Sequence, residues 1–261
     1  MTPKRPWRTR ETGAPPHDDV KTIGLIGGMS WESTLPYYRR INELVNERLG
    51  GLHSARLVLL SVDFEEIAAM QAAAEWDEAG DQLARAARSL EAAGADFVVL
   101  ATNTMHKVAP AIEAAVGIPL LHIADTTAAA ILGAGIETVG LLGTRFTMEE
   151  DFYRARLKER HGLSVLVPDA VDRAFINRVI YTELCCGVLS DASRDAFRDI
   201  IARLVERGVE GIILGCTEIP LLVGASDAAV PLFDTGELHV RAAVEFALGD
   251  GAIQKRRSGD A

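Results

Sequence analysis

Two segments of the chain share one pattern, in which an apolar run of strand-forming residues breaks into a threonine-containing turn. They are DFVVLATNTMH at 96–106 and EGIILGCTEIP at 210–220. The first turn presents Thr102 and the second presents Cys216. In parallel α/β sheets, ligands bind where the carboxyl ends of strands meet the amino ends of helices. The two turns therefore predict two walls of one pocket.

The chain alternates short apolar runs with longer amphipathic patterns, which predicts an α/β fold with helices on the faces of parallel sheets. Several helical patterns end at a glycine, the usual residue after a helix terminus. The predicted strands are 22–27, 56–62, 96–101, 138–142, 164–167, 211–215 and 230–233, and the long helices are 30–49, 77–93, 172–188 and 191–207.

The sequence also repeats itself. TIGLIGGMSWE at 22–32 resembles TVGLLGTRFTME at 138–149, and a polar turn follows each at a similar interval. Duplication of one unit predicts two pseudo-symmetric Rossmann-like parallel-sheet domains with the active site in the cleft between them. The predicted parts are a disordered N-terminal extension at 1–20, a first domain at 21–120 plus 232–248, a second domain at 121–231 and a polar tail at 249–261.

Composition narrows the class of protein. With 48% hydrophobic residues, 261 residues can bury a full core, and the net charge of −10 argues against a nucleic-acid partner. Two of the three cysteines are adjacent, so they form no disulfide framework, which predicts a reducing, cytoplasmic location. The sequence shows no apolar segment typical of a membrane span, so no membrane partner is expected.

The two turns differ in the chemistry they offer. Cys216 follows a strand where a helix is expected to begin, and backbone N–H groups and the helix dipole there favour a thiolate that can take a proton. Thr102 keeps its proton at physiological pH, so it can only donate or relay one with help, or alternatively cap the following helix. Asn103 and Thr104 offer amide and hydroxyl donors for a carboxylate.

Other polar residues near the turns have more than one interpretation. Thr144 and Arg145 could bind a distal carboxylate, but an arginine here could equally form a surface ion pair. Glu218 is interpreted as a first-turn residue that complements the helix dipole. His106 is interpreted as structural, with a weaker alternative as a helper of Thr102.

The motifs disfavour a bound cofactor. The Gly27-Gly28-Met29-Ser30 turn offers a further anion site but lacks the GxGxxG spacing of dinucleotide-binding proteins. The six histidines show no HExxH pattern and the cysteines no CxxC pattern, so no metal is expected.

Five segments resemble, in order, the aspartate/glutamate racemase family, whose members invert the α-carbon of acidic amino acids without pyridoxal phosphate (PLP) or metal. They are GLIGGMSWESTLPYYRRIN, ATNTMHKVAP, HIADTT, LLGTRFTMEEDFYR and LGCTEIPLL, and the resemblance covers about residues 22–248. It implies two opposed cysteines that exchange the α-proton. The second is Cys216, but Thr102 stands where the first belongs. The chain is most similar to a bacterial branch with threonine there, described as specific for L-aspartate and L-glutamate.

The resemblance also implies which residues form the site, a small-molecule amino-acid substrate and a possible homodimer. It places Gln71 where related racemases contact the substrate, although a solvated helix start is an equal interpretation. The implied catalytic residues are Cys216 and Thr102, and the implied substrate-binding residues are Met29, Ser30, Gln71, Asn103, Thr104, Thr144 and Thr217.

Two alternatives remain open at this point. One is a decarboxylase of the same superfamily, which needs a single cysteine to protonate a planar intermediate. The other is a non-catalytic amino-acid-binding protein that has lost one base, an interpretation that Thr102 keeps open.

Overall fold

The structure is a computed structural model that describes residues 20–249. Apart from residues 20 and 249, the predicted N-terminal extension and polar tail lie outside this range. Its strands are β1 (Ile23–Gly27), β2 (Leu57–Ser61), β3 (Phe97–Leu100), β4 (Leu120–Leu121), β5 (Thr138–Gly143), β6 (Ser164–Leu166), β7 (Gly211–Gly215) and β8 (Leu232–Asp234). Its α-helices are α1 (Trp31–Leu49), α2 (Phe64–Ala73), α3 (Trp76–Ala92), α4 (Ala109–Ala115), α5 (Ile123–Gly133), α6 (Arg145–Glu149), α7 (Asp151–His161), α8 (Ala170–Thr182), α9 (Asp191–Glu206), α10 (Ile219–Leu222) and α11 (Thr235–Leu248).

The strands form two four-stranded sheets with equivalent topology. The first has the order β2-β1-β3-β4 and the second β6-β5-β7-β8, and every recorded pairing is parallel. The α/β prediction with two parallel-sheet domains is confirmed. The equivalent order also explains the sequence repeat, since β1 and β5 occupy the same position in their sheets, as do β3 and β7.

Apolar side chains fix the helices to the sheets. On one face of the first sheet, α1 and α11 pack together, and α3 and α4 cover the other face. A single larger cluster unites the second sheet with α5, α7, α8 and α9. Because the sheets are covered in this way, the carboxyl ends of the central strands are left to face one another in the cleft.

A glycine turn at the end of β1 requires close backbone approach. Gly28 has φ +93°, and a Cβ there would lie 2.2 Å from the carbonyl oxygen of Val62. A Cβ on Gly27 would lie 2.4 Å from a methyl carbon of Thr34. Only glycine fits both restraints, and the turn leads directly into Met29 and Ser30 at the cleft.

The structure departs from the predicted elements in three places. Strand β4 was not predicted, because Leu120–Leu121 is only two residues long. The predicted helix at 172–188 is wrong at its end, since α8 stops at Thr182 and a 3₁₀ turn, Leu184–Cys186, follows. Strand β8 pairs with β7 in the second sheet, whereas residues 232–248 are predicted to belong to the first domain.

Helix α11, which follows β8, packs against both α1 and α5 and so ties the two halves together. None of the helices in the described range is both long and apolar enough to cross a membrane. The domain limits, the cytoplasmic location and the homodimer stay predictions.

Candidate active site

The carboxyl ends of the central strands enclose a cavity between the two sheets. The residues that line it come from both sheets, as in small-ligand sites that lie between domains. Eight of the nine predicted site residues line it, and the ninth, Ser30, lies behind the wall and contacts Glu218. The lining consists of Met29, Phe64, Gln71, Thr102, Asn103, Thr104, Thr144, Ile180, Tyr181, Cys185, Gly215, Cys216, Thr217 and Glu218.

The thiol of Cys216 is held by a buried carboxylate. Cys216 Sγ donates to Glu218 Oε2 at 2.9 Å, and the Thr217 hydroxyl donates to the same oxygen at 3.0 Å. The other oxygen, Oε1, accepts from the Ser30 hydroxyl at 2.8 Å. Glu218 is 2% exposed, so its charge is satisfied by these three hydroxyl and thiol donors across the domain boundary.

The expected low pKa of Cys216 is wrong. Burial raises the pKa of this thiol well above its usual value, and the neighbouring Glu218 carboxylate raises it further. The helix that follows supplies little compensation, because α10 is only the four residues Ile219–Leu222. Cys216 is therefore a thiol with an adjacent proton acceptor, the arrangement that lets a weakly acidic group act as a base.

Thr102 forms the opposite wall with a free hydroxyl. Its N–H donates to the Leu100 carbonyl at 2.8 Å, and its carbonyl accepts from His106 Nδ1 at 2.7 Å. Within residues 20–249 the hydroxyl makes no hydrogen bond, and the following 3₁₀ helix, Thr104–Val108, has no side-chain cap. The helix-capping alternative is thus not observed, and the hydroxyl is available to the cavity.

Asn103 presents an unpaired acceptor. Its Nδ2 donates to Thr235 Oγ1 at 2.9 Å, and that hydroxyl donates to the Leu214 carbonyl at 2.8 Å, so Oδ1 faces the other way. Asn103 Oδ1 is buried without a hydrogen-bond partner among the described residues. A buried acceptor of this kind in a cavity wall favours a ligand with an N–H donor.

Three hydroxyls from both domains meet at one end of the cavity. Thr104 Oγ1 lies 2.9 Å from Thr144 Oγ1 and 3.4 Å from Thr147 Oγ1, and Thr144 and Thr147 lie 3.1 Å apart. All three are buried. Each hydroxyl can rotate to donate, so the cluster can bind an oxyanion.

Gln71 is buried near the end of α2, so its interpretation as a solvated helix start is wrong. Its Oε1 accepts from the Tyr181 hydroxyl at 3.1 Å, and its Nε2 contacts Met105 Sδ at 3.0 Å. Phe64 stacks against the Tyr181 ring with centroids 6.5 Å apart. These contacts join α2 to α8 and close one side of the cavity.

Sequence reasoning missed several cavity residues and overrated one. Tyr181 and Cys185 were not predicted to line the cavity, and Thr147, which lies behind the lining, was not predicted to contact Thr144. Glu218 was interpreted only as a partner of the helix dipole. The position of Glu218 two residues after the reactive cysteine was the available signal. Arg145 is exposed and does not line the cavity, so it is not placed to bind a distal carboxylate.

No lysine or arginine is present among the lining residues, so hydroxyl, amide and backbone groups supply the cavity's donors. In the described part of the chain, no three His, Cys, Asp or Glu side chains are grouped so that they could hold a metal ion. Within that part of the chain, the polar chemistry of the cavity comes from two thiols, a carboxylate, hydroxyls and amides.

The paired-sheet α/β fold is the one found in amino-acid racemases, a class of isomerases. The family model described as Asp/Glu/hydantoin racemase matches residues 26–243. The chain therefore belongs to this family. Its Rossmann-like architecture is the one shared by solved aspartate and glutamate racemases.

Individual relatives agree with this assignment. A Yersinia pestis protein assigned as an Asp/Glu racemase has 59% identity and a TM-score of 0.83, covering 88% of this chain and 100% of that one. An aspartate racemase homologue from Pyrococcus horikoshii has 37% identity and a TM-score of 0.76 over the same shares. A broad specificity amino-acid racemase from Bacillus subtilis is 23% identical over 229 residues, 87% of this chain and 98% of that protein.

These similarities favour neither alternative left open by the sequence, the single-cysteine decarboxylase or the non-catalytic binding protein. The relationship to the threonine-containing branch and the roles of the site residues stay predictions.

Proposed function

We propose that this protein racemises an acidic amino acid, L-aspartate or L-glutamate, without PLP, using Cys216 as the acid/base opposite Thr102. The observation that carries the proposal is the hydrogen bond from Cys216 Sγ to the buried Glu218 carboxylate. A thiol that can pass its proton to a carboxylate 2.9 Å away becomes a thiolate when needed, even though burial raises its pKa.

The proton transfers follow from the two walls. Glu218 accepts the Cys216 proton, and the thiolate removes the α-proton from the substrate face that it contacts. The resulting carbanion is planar, so a proton can return on the opposite face. There the Thr102 hydroxyl donates or relays it and is reprotonated through water by the proton that Glu218 releases, while Cys216 keeps the α-proton as a thiol, so the site ends in its starting state.

The remaining lining supports an amino acid as the substrate. Asn103 Oδ1 needs a donor, which an α-ammonium group supplies. The hydroxyls of Thr104 and Thr144, with Thr147 behind them, suit a carboxylate. Gln71 and Tyr181 line the same cavity, and their amide and hydroxyl groups suit a second carboxylate on the substrate side chain.

The test is incubation of the protein in deuterium oxide with each enantiomer of aspartate and glutamate. NMR measures exchange of the α-hydrogen and chiral chromatography measures inversion. We expect exchange with inversion of an acidic amino acid, and we expect Cys216→Ser to abolish both, because a serine hydroxyl stays protonated beside Glu218.

The matched control is Cys186→Ser, which changes an exposed thiol outside the cavity lining and should leave turnover unchanged. Turnover that survives Cys216→Ser would exclude Cys216 as the acid/base. Exchange of a neutral amino acid alone would retain the mechanism and reject the acidic substrate.

A further inference from the structure

Three buried imidazoles lie behind the Thr102 turn, on the side away from the cavity. The rings of His106 and His122 are 4.4 Å apart between centroids, and those of His106 and His239 are 6.0 Å apart. All three residues are at most 4% exposed. Of the three, His106 is the one that contacts the turn itself.

The hydrogen bonds of His106 define its tautomer. The Ile123 backbone N–H donates to Nε2 at 3.2 Å, so that nitrogen carries no proton. Nδ1 therefore holds the proton and donates it to the Thr102 carbonyl at 2.7 Å. One neutral ring thus connects the end of β3 to the start of α5.

The two neighbouring imidazoles hold this part of the fold in place. His239 Nε2 donates to the Leu121 carbonyl at 2.8 Å, and its Nδ1 lies 3.1 Å from the Tyr37 hydroxyl. His122 Nδ1 accepts from the Ala124 N–H and so caps α5. The Ile123 N–H bound by His106 therefore belongs to a well-anchored helix start.

We propose that His106 is a positioning residue, which aims the Thr102 hydroxyl and the Asn103 amide into the cavity by holding the Thr102 carbonyl against the start of α5. The hydroxyl of Thr102 makes no hydrogen bond of its own in the described range, so its place depends on the backbone. Where catalysis is concerned, this inference rests on the proposed function.

Two substitutions separate the two hydrogen bonds of the ring. In His106→Asn the amide nitrogen can occupy the place of Nδ1, which keeps the bond to Thr102 and loses the bond from Ile123. In His106→Gln the amide oxygen can occupy the place of Nε2, with the opposite result. His122→Asn is the matched control, since asparagine retains the helix cap and His122 does not touch Thr102.

Crystal structures and kinetics of the three variants test the inference. We expect the Gln variant to displace the Thr102 turn by about 1 Å and to lower kcat by about tenfold, the loss expected when the Thr102 hydroxyl no longer reaches the substrate, with KM little changed. The Asn variant and the control should keep the turn and turnover close to wild type. The Gln variant should also raise the α-deuterium isotope effect for the enantiomer whose α-hydrogen faces Thr102, and not for the other.

A Thr102 turn that superimposes on wild type in the Gln variant would overturn the inference. So would equal losses in the Asn and Gln variants with unchanged isotope effects, which indicate loss of folding alone. If the Gln variant does not fold, the Asn variant decides: a displaced Thr102 turn in that variant overturns the inference, and a retained turn supports it. If wild type turns over no amino acid, the proposed function fails, and the position of the turn in the crystal structures still decides the role of His106.

Discussion

The two turns that face each other across the cavity occupy equivalent places, at the ends of β3 and β7, yet they are supported differently. The first is neutral: a buried imidazole holds the Thr102 backbone and leaves the side-chain hydroxyl free. In the second, the Cys216 side chain is bound to the carboxylate of Glu218. The backbone hydrogen bond in the first turn sets only the position of the Thr102 hydroxyl. The side-chain hydrogen bond in the second turn also changes the acidity of the Cys216 thiol.

This difference shows that the duplicated architecture is retained while the ionisable side chains that line the cavity are concentrated on one wall. Glu218 is bound in turn by Ser30 from the first domain, so the Cys216 wall depends on contact between the domains. The Thr102 wall depends instead on imidazoles that stay uncharged. The largest expected effect therefore comes from charging those imidazoles.

Low pH should destabilise the cluster of buried imidazoles that supports the Thr102 turn. Burial lowers the pKa of His239 to about 4 and that of His122 to about 2. In the unfolded chain, these two histidines take up a proton near pH 6.5. Their contribution to the free energy of unfolding is therefore fully present above pH 6.5, and it is lost as the pH falls toward their pKa values in the folded protein. For His239 alone the loss between pH 7 and pH 4 is about 3 kcal/mol in the free energy of unfolding.

Urea unfolding of wild type and His239→Gln at pH 7 and pH 4 measures this difference. Glutamine can still donate to the Leu121 carbonyl but does not titrate. We expect the variant to lose about 3 kcal/mol less than wild type over this range. Equal losses would show that His239 is protonated alike in the folded and unfolded states.

The second turn is tested by Glu218→Gln, which keeps the size of the side chain and removes its charge. Exchange of the α-hydrogen should fall about 10²-fold, because an amide cannot accept the thiol proton. Since the Glu218 charge raises the pKa of Cys216, the variant's thiol should also react faster with iodoacetamide at pH 8. Slower exchange together with faster alkylation would show that Glu218 contributes by accepting the thiol proton and not by lowering the pKa of Cys216.

The control for this variant is Glu245→Gln, which removes an exposed carboxylate paired with Arg48 far from the cavity lining. It should leave both exchange and alkylation unchanged. Wild-type exchange in Glu218→Gln would mean that another group accepts the Cys216 proton.

The sequence is sufficient for the strands and for the two turns, because an apolar run followed by a polar turn is a local pattern. Cys216 and Thr102 could be placed on facing walls for that reason. The environment of Cys216 could not be predicted, because its neighbour Glu218 is held by Ser30, which lies 188 residues away in the chain. The helix-dipole prediction failed because burial and the Glu218 charge both raise the pKa of Cys216, and α10 has only one turn with which to oppose them.

The end of helix α8 explains why two further cavity residues, Tyr181 and Cys185, were not predicted. Tyr181 lies in what the pattern predicts as the middle of a helix at 172–188, where no side chain is expected to meet a cavity. The helix ends at Thr182, so Tyr181 reaches Gln71 and the following turn brings Cys185 to the wall. Local propensity places helix termini poorly, and here the terminus decides which residues line the site.

The smallest expected effect concerns the hydroxyl of Thr102. Thr102→Val keeps the shape and removes the hydroxyl, while Thr102→Ser keeps the hydroxyl. If the hydroxyl only relays a proton, the valine variant should lose about tenfold in inversion, the value of one hydrogen bond of about 1.4 kcal/mol. Exchange at the Cys216 face should persist, because that wall is intact. In deuterium oxide, the ratio of α-hydrogen exchange to inversion should therefore rise in the valine variant and stay near wild type in the serine variant. If exchange and inversion instead fall by the same factor in the valine variant, the two walls act as one unit.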